Sequence, residues 1–219
     1  PEHGVKVSMR HPTMLARVAL VDPELTRGCP PAVTASSGLD ALTHCLESFV
    51  SPMANPLTDG FSSEGLRRAG RSQRRAYTHG DDLDARTDMA LCALLGGLAL
   101  ANAKLGAVHG LAGVVGGLTG APHGLTCATL LVECCRGNVA ALRDRAPEDP
   151  ALARYAEVGE LLTGERSAEA YLAWFAETAA LLGVGGLASL GLGEADIPAI
   201  ADAASKASST KGNPVRLPL

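Results

Sequence analysis

Apolar residues recur at helical spacing over most of the chain, and the departures from that spacing mark its turns. Two short runs near the start alternate or cluster as a strand would. They are Val5-Lys6-Val7-Ser8-Met9 and Arg17-Val18-Ala19-Leu20-Val21-Asp22, the second closed by Pro23. From Thr34 onward the pattern predicts only helices and turns. Thr34-Ala35-Ser36-Ser37-Gly38 offers capping hydroxyls ahead of a helix over 39–49, broken near Pro52. Asn55-Pro56-Leu57-Thr58-Asp59 opens a second helix, and Asp81 to Ala85 caps a third that runs to about Leu105. Further helices are predicted over 107–118, 123–141, 151–162, 168–182 and 197–206, parted by Gly120-Ala121-Pro122, a polar loop and a glycine-rich connection over 183–193. The expected architecture is all-α, about seven to nine helices over 34–219 behind a strand-containing lead over 1–33.

Composition supports this reading. Hydrophobic residues make up 47% of the 219 and charged residues 19%, enough to bury a core. Aromatics are only 3% and glycines number 25, which favours closely packed helices over sheets. The net charge of −4 argues against nucleic acid. The cluster Arg67, Arg68, Arg71, Arg74 and Arg75 reads as a solvated face or a contact for an acidic partner. The apolar run 89–103 falls short of the roughly 20 residues that span a bilayer, and no basic segment leads into an apolar one as in a signal peptide. No membrane association and a cytoplasmic location are therefore expected. Cysteines 29, 45, 92, 127, 134 and 135 show no CxxC spacing, and four lie in apolar helical runs, which reads as reduced buried thiols. The glycines after 182 follow a helix rather than a strand, so they do not read as a dinucleotide turn.

Candidate chemistry lies in the histidines. Asp40 and His44 are four apart, which on a helix places both on one face with Cβ atoms about 5–6 Å apart. His109 and His123 begin two helices joined by a short glycine-rich turn, so both imidazoles can reach one point. One carboxylate oxygen and three imidazole nitrogens suit Fe²⁺, Zn²⁺ or Co²⁺. His3, His11 and His79 lie in polar or terminal segments and read as surface residues.

At these residues the sequence resembles the iron-containing, or group III, alcohol dehydrogenases. The ordered blocks that carry the resemblance include Val21-Asp22-Pro23-Glu24-Leu25-Thr26 and the run Thr34 to Ser48 with Gly38-Leu39-Asp40-Ala41-Leu42-Thr43-His44 at its centre. Asn55-Pro56-Leu57-Thr58-Asp59, Gly106-Ala107-Val108-His109-Gly110, Ala121-Pro122-His123-Gly124 and Lys211-Gly212-Asn213-Pro214 complete them. The resemblance implies the multi-helix C-terminal domain of the dehydroquinate synthase-like/iron-containing alcohol dehydrogenase fold, with the Rossmann-like N-terminal domain missing. It implies Asp40, His44, His109 and His123 as ligands of Fe²⁺ (or Zn²⁺), and Leu100, Leu105 and Ser209 as the lining of the substrate pocket. NAD or NADP is expected as cofactor of the complete enzyme, held by the missing nucleotide-binding domain. A homodimer or larger assembly is expected as well.

Many members of the family carry a second histidine four residues after the third ligand, a position that is Gly113 here. The maleylacetate-reducing branch looks altered at the Asp ligand, whereas this chain keeps Asp40, so a small alcohol or aldehyde is the expected substrate. Catalysis is expected to run through an ion acting as a Lewis acid on the alcohol oxygen, with hydride passing to nicotinamide. Three other readings stand beside it: a non-catalytic helical fragment that binds metal or makes subunit contacts, a maleylacetate reductase-like enzyme, and a metal-dependent hydrolase. The last would need a general base, for which Glu47, one turn beyond His44, is the sequence-near candidate.

Overall fold

A computed structural model describes residues 11–14 and 16–216. Among them are eight α-helices and no strand: α1 (Pro31–Val50), α2 (Pro56–Thr78), α3 (Leu83–Ala103), α4 (Ala107–Thr119), α5 (His123–Arg145), α6 (Pro150–Thr163), α7 (Ala168–Leu181) and α8 (Ile197–Ser205). Short 3-10 turns fill the lead and the glycine-rich stretch after α7. The all-α expectation is met.

α1 is the axis of the bundle. It packs on the α2–α3 hairpin on one side and on α5 on the other, while α6 and α7 pair and α4 joins α5 to α8. Its buried face supplies Leu39, Leu42, Leu46 and Phe49 to a core that also contains Leu66, Val108, Val115, Leu131 and Leu142. Tyr155 and Tyr171, fully buried, stack with ring centroids 5.7 Å apart and close the α6–α7 end. α5 is long and apolar enough to cross a membrane, but it lies in this core, with over half of its apolar window buried.

Two expectations need correction. α1 begins at Pro31, eight residues before the predicted start, so Thr34 to Ser37 lie inside the helix instead of capping it. Pro31 sits at the first helical position, where its missing N–H costs nothing and its fixed φ suits the helix. The hydroxyls turn back onto the helix, Ser37 Oγ donating to Val33 O at 2.6 Å. The second correction is the run over 17–22, which forms no strand. Val18 and Leu20 are 80% and 90% exposed, and no neighbouring strand offers the ladder that would hold them. The run Val5 to Met9 lies outside the described residues.

The arginines of α2 find their acidic partners within the chain. Arg68 pairs with Glu64 and Asp88, Arg71 with Asp88, Arg74 with Glu177 and Arg75 with Asp82. Of these, Asp88 is buried: Arg68, Arg71 and Ser72 all donate to its carboxylate at 2.5–2.8 Å, pinning α3 to α2.

Candidate metal centre

Three helices meet at the predicted ligands. Asp40 and His44 stand one turn apart on α1, His109 lies in the first turn of α4, and His123 is the first residue of α5. Two glycines let these helices approach. A Cβ on Gly124 would sit 2.5 Å from Ser36 O, so α5 can start against the α1 backbone only because that position is bare. Gly96 does the same for α3, where a Cβ would stand 2.9 Å from His44 Cβ.

The turn into α4 is sharp. Lys104 takes φ 63°, and α3 and α4 meet at 103°. The exposed N–H groups of the new helix are met by two side chains from elsewhere. Ala107 N donates to Asn213 Oδ1 at 3.0 Å, and Val108 N donates to Glu47 Oε1 at 2.7 Å. The other oxygen of Glu47 lies 2.7 Å from His109 Nδ1. That buried carboxylate thus suits the positive end of the helix dipole and fixes the imidazole with Nε2 turned inward. Glu47 is committed to two donors and does not face an open position, which removes the general base that the hydrolase reading needs.

Asp40 Oδ1 is the hub. His109 Nε2 stands 3.3 Å from it, His123 Nε2 3.8 Å and His44 Nε2 3.9 Å. The His44 and His109 rings stack at 4.6 Å. Asp40 Oδ1 and His109 Nε2 are both buried, and neither makes a well-formed hydrogen bond. Two orphaned polar atoms aimed at one point are costly unless something fills it, and a divalent cation among a carboxylate and three imidazoles fits the donor set.

Electrostatics agree. Burial by itself would raise the Asp40 pKa, but the neighbouring imidazoles win and hold it at about 2. Burial drives His44 down to about 4, keeping it neutral as a ligand must be. Burial also opposes charge on His109, yet contacts with Asp40, Cys127 and Glu47 push its pKa up to about 12. The pocket between the two carboxylates therefore calls for positive charge, carried by a proton when no ion is bound.

Cys127, read from sequence only as a buried thiol, stands one turn along α5 from His123, with Sγ 3.7 Å from His123 Nε2. The ligand atoms of Asp40, His109, His123 and Cys127 all lie within 4.8 Å of one another, and His44 flanks that group rather than belonging to it. The residues expected to line the substrate pocket also come together. Leu100, Leu105 and Ser209 border one hollow of about 170 Å³ at the α3–α4 bend, with Lys104, Ser208 and Lys211 completing its wall. At Gly113 a Cβ would meet nothing within 4 Å, so space is open at the position where the family resemblance implies a second histidine. His11 and His79 are exposed, and His3 lies outside the described residues.

Residues 34–218 match the family described as Fe-containing alcohol dehydrogenase family, C-terminal. The chain belongs to that family. Among its relatives, the 1,3-propanediol dehydrogenase of Klebsiella pneumoniae is 38% identical over 204 residues, which are 91% of this chain and 51% of that protein. A crystal structure of a 1,3-propanediol oxidoreductase superposes with a TM-score of 0.81 at 36% identity, covering 89% of this chain and 51% of the other. Maleylacetate reductase from Rhizobium sp. strain MTP-10005 matches 98% of this chain and 57% of its own, at 30% identity and TM-score 0.77. The chain thus spans about half the length of these relatives. Iron-family membership implies a metal and NAD(P) in the full enzyme, in keeping with the cluster around Asp40.

The Glu47–His109 contact leads to a direct test. Glu47→Gln keeps the shape but gives His109 Nδ1 a neutral acceptor, or a donor facing a donor. Metal affinity is expected to fall about 10–100-fold, as when other partners that orient a ligand are changed. Competition against a chromophoric chelator measures it, and an unchanged affinity would show that Glu47 serves only to cap α4.

Proposed function

We propose that this chain is the metal-binding half of an NAD(P)-linked oxidoreductase that interconverts a small alcohol with an aldehyde or ketone. The observation that carries this reading is that His44, His109 and His123 each bring a ring nitrogen within 4 Å of Asp40 Oδ1, where that oxygen and His109 Nε2 are buried without a hydrogen bond. Iron or zinc bound there supplies Lewis acidity toward an alcohol oxygen. The chain's own residues do the rest. Asp40 brings the negative charge, the imidazoles set the geometry, Glu47 orients His109, and the hollow beside Leu100, Leu105 and Ser209 admits a small substrate next to the bend that positions α4. Retention of the carboxylate at Asp40 supports an alcohol or aldehyde over a maleylacetate-like substrate.

Catalysis in this reading requires a nucleotide-binding domain, with a second copy of the chain completing a homodimer or larger assembly in the cytoplasm. The bare Val18, Leu20 and Leu25 of the lead, 80–90% exposed among the described residues, support a further covering surface. A non-catalytic fragment that binds metal is the second reading, favoured by the same half-length match. Metal content is measured after anaerobic incubation with Fe²⁺ and Zn²⁺ and desalting. The expected result is about one ion per chain, the stoichiometry of a single four-ligand site, and its loss in His109→Ala. Retention of no ion by the unaltered chain overturns the proposal. NAD(P)-dependent alcohol oxidation on addition of a nucleotide-binding half separates the enzyme from the inert fragment.

A further inference from the structure

We infer that Cys127 is itself a metal ligand, so that a thiolate joins the carboxylate and imidazoles around the ion. This rests on the metal-centre reading above and adds a donor to it.

Geometry points this way from three sides. The Cys127 sulfur lies within 4.8 Å of the ligand atoms of Asp40, His109 and His123, which is the spread expected of donors around one small cation. Cys127 and His123 are four residues apart on α5, the same one-turn spacing that sets Asp40 under His44 on α1. The two helices therefore offer matching pairs, a charged or chargeable donor and an imidazole on each. Finally, His109 Nε2 aims into the space these groups enclose, with only 5% of its side chain exposed and no hydrogen-bond partner.

The thiol has no other task in view. Its sulfur is buried, and its nearest polar neighbours are those same ligand groups. By contrast, Cys45 and Cys92 face each other at 4.0 Å between α1 and α3, and Cys134 and Cys135 fill the core around α5. Binding is a simple exchange: the S–H proton leaves to solvent and the sulfur lone pair forms the bond to the ion. A carboxylate and a thiolate then balance its two positive charges. A soft donor favours Zn²⁺ over Fe²⁺ more than an all-nitrogen-and-oxygen set would. This site is thereby biased toward zinc within a family described by its iron.

X-ray absorption on the full chain loaded with one equivalent of Zn²⁺ tests this directly. A sulfur shell at about 2.3 Å is expected beside the lighter donors. Its absence from a chain that does hold zinc overturns the inference while leaving the metal centre intact. In Co²⁺-loaded protein, a sulfur-to-cobalt charge-transfer band in the near ultraviolet is expected, and Cys127→Ser should abolish it while still binding one Co²⁺. Zn²⁺ affinity in that variant should fall about tenfold or more, with a smaller fall for Fe²⁺. Persistence of the band in Cys127→Ser assigns the sulfur elsewhere and overturns the inference. Failure of the unaltered chain to bind either ion overturns the metal centre itself, and the inference with it.

Discussion

Asp40→Ala protein, loaded anaerobically with Zn²⁺ and desalted, is expected to retain no stoichiometric metal. Asp40 Oδ1 lies within 4 Å of all three imidazoles. Removing it takes the carboxylate from a divalent ion in a largely buried pocket and leaves the imidazoles, with at most the Cys127 thiolate, to hold it. Stripping one partner from a buried charge costs about 3–5 kcal/mol, which corresponds to about 10²–10⁴-fold in affinity. The fold should persist, because Asp40 makes no capping or core-packing contact on α1. Calorimetric titration of the variant reads the effect, and a loss of less than about tenfold would remove Asp40 from the ligand set.

A second large effect is expected far from the metal. Asp88→Asn leaves Arg68 and Arg71 without their shared carboxylate and weakens the pin between α2 and α3. The carboxylate itself is 10% exposed but Arg71 is 55% exposed, so solvent screens part of the loss. About 2–3 kcal/mol is expected, less than the 3–5 typical of fully buried pairs, or roughly 5–10 °C in Tm for a domain of this size. Burial alone would raise the Asp88 pKa, yet the Arg71 and Ser72 hydrogen bonds prevail and lower it below the ordinary 3.8. The folded pKa lies below the unfolded one. The stabilisation is therefore fully present above the unfolded value and is lost as pH falls through the folded one. Denaturant melts of wild type and variant should accordingly differ most near neutral pH and converge in acid. A gap that stays constant down to about pH 2 would assign the difference to packing instead of charge.

Much of this was legible before any coordinates. Apolar spacing marked α4 and α6 to α8 to within a residue or two, helped by stops such as Gly120 and Gly164, while α5 runs four residues past its expected end. The four candidate ligands drew notice because histidine is scarce in apolar helical runs and because Asp40 and His44 share a helix face. What the sequence hid were relations between distant segments. Hydroxyls at 34–37 look like caps, but a helix that starts on Pro31 absorbs them. The arginines of α2 look like a solvated face or a contact for an acidic partner until Asp88, Asp82 and Glu177 arrive from elsewhere in the chain. Glu47 looks like a helix-face carboxylate or a candidate base, and only the sharp bend at Lys104 brings the start of α4 onto it. Cys127 carried a readable signal, its one-turn spacing from His123, but an apolar helix with several cysteines masks that signal as ordinary core.

Asn213 ties these regions into one cooperative unit. Its Oδ1 accepts from Ala107 N at the start of α4 and from Asn138 Nδ2 on α5, and its Nδ2 donates to Asn138 Oδ1 and to Val215 O. One amide thus latches the segment around it to the two helices that present His109 and His123. If an ion binds there, docking of the segment around Asn213 and assembly of the candidate metal centre are linked equilibria. An ion that bound only the latched form would draw this segment onto the bundle, and cleavage after residue 212 would act on the ion's affinity from a distance.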